Sequence, residues 1–352
     1  MYHIFFVLLR AGLWGKAPED LSEFPLNRER WNKLFEIAKK QTVTGIVYHG
    51  VTMLPERFMP PQELMIRWVA EVERIEQNNH KTNIALQKLL RLFRDECLRP
   101  IVLKGQSVAA MYETPSLREC GDIDIFFDSQ EDASDALAIL KEKGITYERH
   151  ADQSISYVWE GVVVEHHTVL FDLHRPKSRK YANKFIKKFR HMRIPLHEHT
   201  KMTVLAPMPY LITLNTHILK HTLGMGVGLR QLCDLARAYY YLNGKVEHHT
   251  MRDTFKTLGL TKWSKLLHAF IVKHIGLPWQ YQPYISLQDI DTAPLFSIIR
   301  ESGNFGQHAK GSASRSPLKT ALRFWKRKRF AWKYAFKEYL WIMLRLTKGR
   351  VK

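Results

Sequence analysis

Between Arg99 and about Phe171 the spacing of apolar residues leaves the helical period for short β-like runs, and this change constrains the fold more than any other feature of the chain. Ile101-Val102-Leu103, Ile123 to Phe127 and Tyr157 to Leu170 read as strands, the last turned back on itself at Gly161. Helical stretches over Gln106 to Tyr112 and Ser129 to Lys143 separate them, so the region is an α/β block. Before it, residues 1–95 read as helical, with breakers at Pro55 to Pro61 and a long amphipathic run from Gln62 to about Glu96. Beyond Pro176 the helical period returns over Tyr210 to His221, Leu229 to Leu242 and Thr261 to His274. The expected division is a helical region 1–95, an α/β core 96–200, a helical domain 201–300 and a terminal segment 301–352.

A chain of 352 residues with 45% apolar content can bury a sizeable core, which excludes wholesale disorder. Cys97, Cys120 and Cys233 are too few and too scattered for a disulfide framework or a cysteine zinc site, so a reducing, cytoplasmic setting is expected. Met1 to Leu9 is apolar but about half the length of a spanning helix, and it lacks a basic flank and a cleavage site. It reads as the first strand or helix of the fold. The formal charge is +20, and Lys310 to Lys352 supplies most of it, with fourteen Lys and Arg against the single acid Glu338. Such a block attracts phosphate, on a nucleotide, a nucleic acid or an anionic membrane surface. Ser302 to Ser316 reads as a flexible loop, with Gly303-Asn304-Phe305-Gly306 as a turn within it. Ala321 to Leu346 then reads as a basic amphipathic helix. Two readings of that helix stand open: it lies on a membrane surface or nucleic-acid backbone, or it docks on the domain by its aromatic face.

The chemistry gathers in the α/β block. Side chains two apart on a strand share a face, so Asp122 and Asp124 of Gly-Asp-Ile-Asp-Ile-Phe-Phe project together while Ile123 and Ile125 face the core. Two such carboxylates repel unless a cation lies between them, and hard oxygen ligands select Mg²⁺ or Mn²⁺. Gly121 permits close backbone approach in front of the strand. Upstream, Ile101-Val102-Leu103-Lys104-Gly105 leads into Gln106 and Ser107, a strand, a glycine turn and a helix start where backbone amides, Lys104 and the Ser107 hydroxyl can meet phosphate. Arg118 is placed to clamp a phosphate or pair with a site carboxylate. Downstream, Val162-Val163-Val164-Glu165 is an apolar strand interrupted by an acid, which must reach solvent, a cation or a donor. Glu165 is the expected third carboxylate, with Asp172 as its competitor.

Leu-Lys-Gly, then Arg118-x-x-Gly-Asp122-Ile-Asp124-Ile, then Val-Glu165-x-His resembles the uncharacterised bacterial nucleotidyltransferase group of the DNA polymerase β-like superfamily. The resemblance spans roughly residues 85–245, including His217, Lys220-His221 and Gly228-Leu-Arg230-Gln-Leu-Cys-Asp234. It implies an α+β fold, a small mixed sheet with flanking helices between helical N- and C-terminal regions. It also implies metal-dependent transfer of a nucleoside monophosphate from an NTP to an acceptor, with loss of pyrophosphate. Carried over, Asp122 and Asp124 bind the metal, Glu165 helps hold a second one, and Lys104 with Arg118 stabilises phosphate charge. The acceptor is left open among small molecules, proteins and nucleic acids.

Other features carry less. His166, His167 and His174 surround Glu165, but neighbouring strand histidines face opposite ways, which argues against a shared zinc ion. His217 and His221 fall on one helix face; Gly224-Met-Gly226-Val-Gly228 reads as a turn between helices; Arg230 and Asp234 read as a solvated pair. The second function class is a basic surface-binding protein that keeps the fold without catalysis.

Overall fold

The computed structural model describes residues 1–150, 153–189, 191–197, 200–303, 322 and 324–347. The expected loop 302–316 lies outside the described residues beyond Gly303, and so does most of the basic stretch before Phe324.

The architecture is α+β, a seven-stranded mixed sheet flanked by helices. The strands are β1 (Ile101–Val102), β2 (Ile123–Phe126), β3 (Tyr147–Arg149), β4 (Ile155–Trp159), β5 (Val162–His167), β6 (Met192–His197) and β7 (Thr200–Val204). They lie in the order β3-β4-β5-β2-β1-β7-β6. β2 is antiparallel to β1 and parallel to β5, in a register that sets Asp124 beside Glu165 and Phe126 beside His167. β4 and β5 form the expected hairpin, with Gly161 at φ 71° in its turn.

The β6–β7 hairpin corrects the expectation that the chain becomes helical again directly beyond Pro176. Met192, Ile194 and Leu196 alternate with more exposed Arg193 and Pro195, the mark of a half-buried strand. Pro195 is tolerated because β6 is an edge strand with a register shift at that position. Parallel pairing of β7 with β1 brings this hairpin into the sheet.

The helices follow their apolar periods closely. They run α1 (Tyr2–Trp14), α2 (Arg28–Lys40), α3 (Thr44–Thr52), α4 (Gln62–Asp95), α5 (Gln106–Ala109), α6 (Gln130–Glu142) and α7 (Pro176–Ile186). After the hairpin come α8 (Pro207–Leu223), α9 (Leu229–Tyr241), α10 (His248–Leu258), α11 (Thr261–Phe270), α12 (Ala293–Ser302) and α13 (Lys328–Thr347). α6 starts where Ser129 accepts a hydrogen bond from the Asp132 amide, satisfying one open helix donor. α4 is 34 residues long and backs the sheet, where its Phe93 meets Phe127 and His166 edge to face. α8 is buried along nearly its whole length and forms the centre of the helical half.

α1 and α3 cross at backbone contact. A Cβ on Gly12 would lie 1.8 Å from the Ile46 carbonyl oxygen, and one on Gly50 would lie 2.0 Å from that of Leu8, so only glycine fits at either place. The far end of α1 reaches the turn after α11, where the Trp14 indole donates to the Ile275 carbonyl at 2.8 Å.

α13 docks on the body of the protein through Ala331, Tyr334, Ala335, Tyr339 and Ile342, and it kinks at Ala335. The docking reading of this helix therefore holds for one of its faces. Glu338, only 3% exposed, accepts hydrogen bonds from the backbone amides of His174 and Arg175 at the start of α7. Among the described residues no helix is long and apolar enough to cross a membrane.

Candidate active site

The site is built where β1 ends, β2 passes and β5 runs alongside. β2 holds Ile123 and Ile125 in the core, so Asp124 emerges on the opposite face of the sheet, as strand alternation requires. The same alternation on β5 buries Val164 and His166 and turns Glu165 and His167 outward. Because β2 and β5 are parallel and in register, those three side chains share one face. Ligand atoms of Asp124, Glu165 and His167 all lie within 4.8 Å of one another.

Asp124 is the centre of the cluster and is 1% exposed. Its Oδ1 receives the Lys104 ammonium at 2.9 Å and His167 Nε2 at 2.6 Å. A carboxylate only accepts, so the imidazole donates through Nε2. Burial alone would raise the proton affinity of Asp124, but Lys104 and His167 outweigh it and hold the carboxyl well below the usual range. Burial likewise opposes the charge on Lys104, and Asp124, Asp122 and Glu165 together keep its ammonium above the ordinary lysine range. Asp122 is shifted the other way: repulsion from Asp124, then burial, raises its carboxyl pKa. Asp122 thus senses the field of Asp124 without joining the tight three-residue cluster.

The glycine turn before the site has a steric basis. Gly105 sits at φ 65°, a region that favours glycine, and a Cβ there would stand 3.0 Å from the Asp122 carbonyl oxygen. The turn can therefore press against the start of β2, which seats Lys104 over Asp124. Gly121 needs no such freedom: it is exposed, and a Cβ would meet nothing within 4 Å.

Two expected phosphate groups are committed elsewhere. Ser107 is fully buried with its hydroxyl 2.7 Å from Tyr210 of α8, and α5 behind it is only four residues long. Arg118 is buried and grips Asp234 of α9 with two parallel bonds, Nε to Oδ1 at 2.9 Å and Nη2 to Oδ2 at 2.6 Å. The Tyr112 hydroxyl donates to the same Asp234 at 2.7 Å. This also corrects the reading of Arg230 and Asp234 as a solvated pair, since Arg230 donates instead to the Glu119 carbonyl at 2.7 Å.

Asp172, the competitor of Glu165, lies apart from the cluster. It accepts from Lys220 at 2.9 Å and from His217 at 3.0 Å, both on α8. Those two groups outweigh its burial and hold its carboxyl well below the usual range. His217 is pushed down to about 4 by burial and then by the charge of Lys104.

His166 and His167 part as alternation demands, His166 turning inward to bond the Tyr157 hydroxyl at 2.8 Å. Burial pushes its pKa down to about 3. His167 stands in the Val-Glu165-x-His motif, but its place in the motif alone assigned it no role at this site. The signal was present, since it stands two residues after Glu165 and shares its face.

A family model described as uncharacterised nucleotidyltransferase matches residues 27–273. The match extends beyond the 85–245 span of the sequence motifs into α2 and α3 on one side and α10 and α11 on the other. No curated protein and no solved structure matches the chain.

Proposed function

The chain belongs to the uncharacterised nucleotidyltransferase family, and we propose that it moves a nucleoside monophosphate from an NTP to an acceptor nucleophile, releasing pyrophosphate, at Asp122, Asp124 and Glu165. The observation that carries this reading is the register of β2 with β5, which sets Glu165 beside Asp124 on one face, next to Lys104. A divalent cation suits the donor set: ligand atoms of Asp124, Glu165 and His167 lie within 4.8 Å of one another, and repulsion from Asp124 raises the proton affinity of the neighbouring Asp122. Asp122, Asp124 and Glu165 would hold Mg²⁺ or Mn²⁺, which when bound neutralises phosphate charge and lowers the pKa of an acceptor hydroxyl.

The chain's own residues divide the remaining work. Glu165, 34% exposed against 1% for Asp124, would draw the proton from the acceptor. Lys104 supplies positive charge to the phosphates, and its turn is fixed by Gly105. His167 holds the Asp124 carboxylate in orientation. Arg118, Tyr112 and Asp234 fasten the segment before β2 to α9 and so keep the acids aligned. A surface binder without catalysis would have no use for acids gathered beside the lysine that meets phosphate.

The test incubates the full chain with each α-labelled NTP, Mg²⁺ or Mn²⁺ and a cell extract, and follows label on an acceptor together with pyrophosphate release. Asp124→Asn should lower transfer on the order of 10²–10³-fold. Transfer by this variant at the wild-type rate, with the fold intact by circular dichroism, would sink the assignment.

A further inference from the structure

α13 presents two unlike faces. One is buried against the body of the protein. The other leaves Trp332, Phe336 and Leu340 exposed at four-residue spacing, with Trp332 at 63% and its ring 4.2 Å from that of Phe336. Ahead of it, Leu322 and Trp325 are also exposed, Trp325 at 57%. Lys326, Lys328, Arg329, Lys333 and Lys337 surround these side chains on the exposed side, and the Lys328 ammonium lies 4.2 Å from the Trp325 ring centre.

The only acid between residues 310 and 352 is Glu338, and it is turned inward. The outward surface of α13 therefore has only basic side chains for its charged groups. α7 extends that charge: Lys177, Lys180, Lys184 and Lys187 are exposed along it. Arg175 at its start and Lys337 of α13 both come within 3.5 Å of where a Cβ on Gly259 would stand, so the two basic rows converge.

We propose that this face docks on an anionic lipid bilayer, with α13 lying in the interface and Trp325, Trp332, Phe336 and Leu340 entering the headgroup and acyl boundary. Charge complementarity supplies the attraction, since basic residues near an anionic leaflet contribute about 1 kcal/mol each. The composition of the exposed stripe decides between lipid and nucleic acid. Indole rings can stack on bases, but aliphatic side chains such as Leu322 and Leu340 have nothing to stack on and gain from hydrocarbon. The inference is independent of the nucleotidyl-transfer reading.

The experiment is flotation of the full chain with vesicles of phosphatidylcholine alone or containing about 30 mol% phosphatidylglycerol. The expected result is binding to the anionic vesicles only, with a blue shift of tryptophan emission and release at about 0.5 M salt. Lys326→Gln with Lys333→Gln should weaken partitioning about 25-fold, the product of about fivefold for each charge. Trp325→Ser with Trp332→Ser should weaken it about tenfold or more. Trp279→Ser, which removes an exposed ring from the short turn after α11, should change nothing. The lysine variants alter solvated side chains and keep the test decisive should the tryptophan pair disturb docking of α13. Failure to bind anionic vesicles, or binding untouched by the lysine pair, overturns the proposal. So does tighter binding to mixed-sequence single-stranded RNA that the same variants abolish, because it assigns the face to nucleic acid.

Discussion

The Lys104 ammonium lies 2.9 Å from the same Asp124 oxygen that His167 Nε2 reaches at 2.6 Å. A cation approaching Asp124 therefore meets a positive charge already held there. Lys104→Met should cost about 2–3 kcal/mol of stability, less than a fully enclosed pair because the lysine side chain is 20% exposed. Millimolar Mn²⁺ or Mg²⁺ should restore part of that loss and raise the Tm of the variant more than that of the wild type. Equal Tm gains in both proteins would show that Asp124 does not seat the ion.

His167 offers a way to separate orientation from ligation. If the ring only holds the carboxylate, His167→Gln should reduce transfer about 10–100-fold, and equally with Mg²⁺ and Mn²⁺. Kinetics with the two ions side by side make the comparison. A loss confined to Mn²⁺ would mean that the nitrogen itself is a ligand, since imidazole suits the softer ion.

Arg118 should behave as a fastening rather than as a phosphate clamp. Its removal leaves Asp234 buried with Tyr112 as its remaining donor, so Arg118→Ala should cost about 3–5 kcal/mol in urea denaturation. Arg118→Lys should recover little, because an ammonium does not reproduce the two parallel bonds. An Arg118→Lys protein with wild-type stability but a raised KM for NTP would restore the clamp reading.

Acid sensitivity has a specific source in the helical half. His268 is fully buried, with Nδ1 2.6 Å from the Ser264 carbonyl and Nε2 2.8 Å from the Tyr239 hydroxyl, and burial pushes its pKa down to about 4. The unfolded chain takes up this proton near pH 6.5 while the native state refuses it until about 4, so stability present above 6.5 is lost as pH falls through that window. The contribution is about 1.4 kcal/mol per pH unit. His268→Gln should flatten the slope of unfolding free energy against pH by that amount between pH 6 and 4.5. Parallel slopes for the two proteins would refute this.

The parts of the fold that could be read from the sequence were those with a short-range cause. β2 and β5 announced themselves by apolar runs broken by acids, and the period of two already set which side chains emerge beside Asp124 and Glu165. α4, α6, α8 and α9 carried clear helical periods and appear within a few residues of their expected bounds. What escaped depends on partners distant in the chain. β6 and β7 join the sheet through β1, about a hundred residues earlier, and a proline hid their alternation. Arg118 meets Asp234 across 116 residues, so no spacing rule could withdraw it from the expected phosphate contacts. Ser107 was lost to Tyr210 for the same reason.

The contact between α1 and α11 bears on how the protein can be handled. Residues 2–14 stand outside the stretch that the family model matches, yet Phe6 packs on Phe270 and α1 meets the backbone of α3 at Gly12 and Gly50. A version trimmed to residues 27–273 would lose the helix that covers Phe270 and the backbone of α3 at Gly50. Likeness to the family and independence as a folding unit thus have different edges here, and a fragment meant to fold alone has to keep α1 in place.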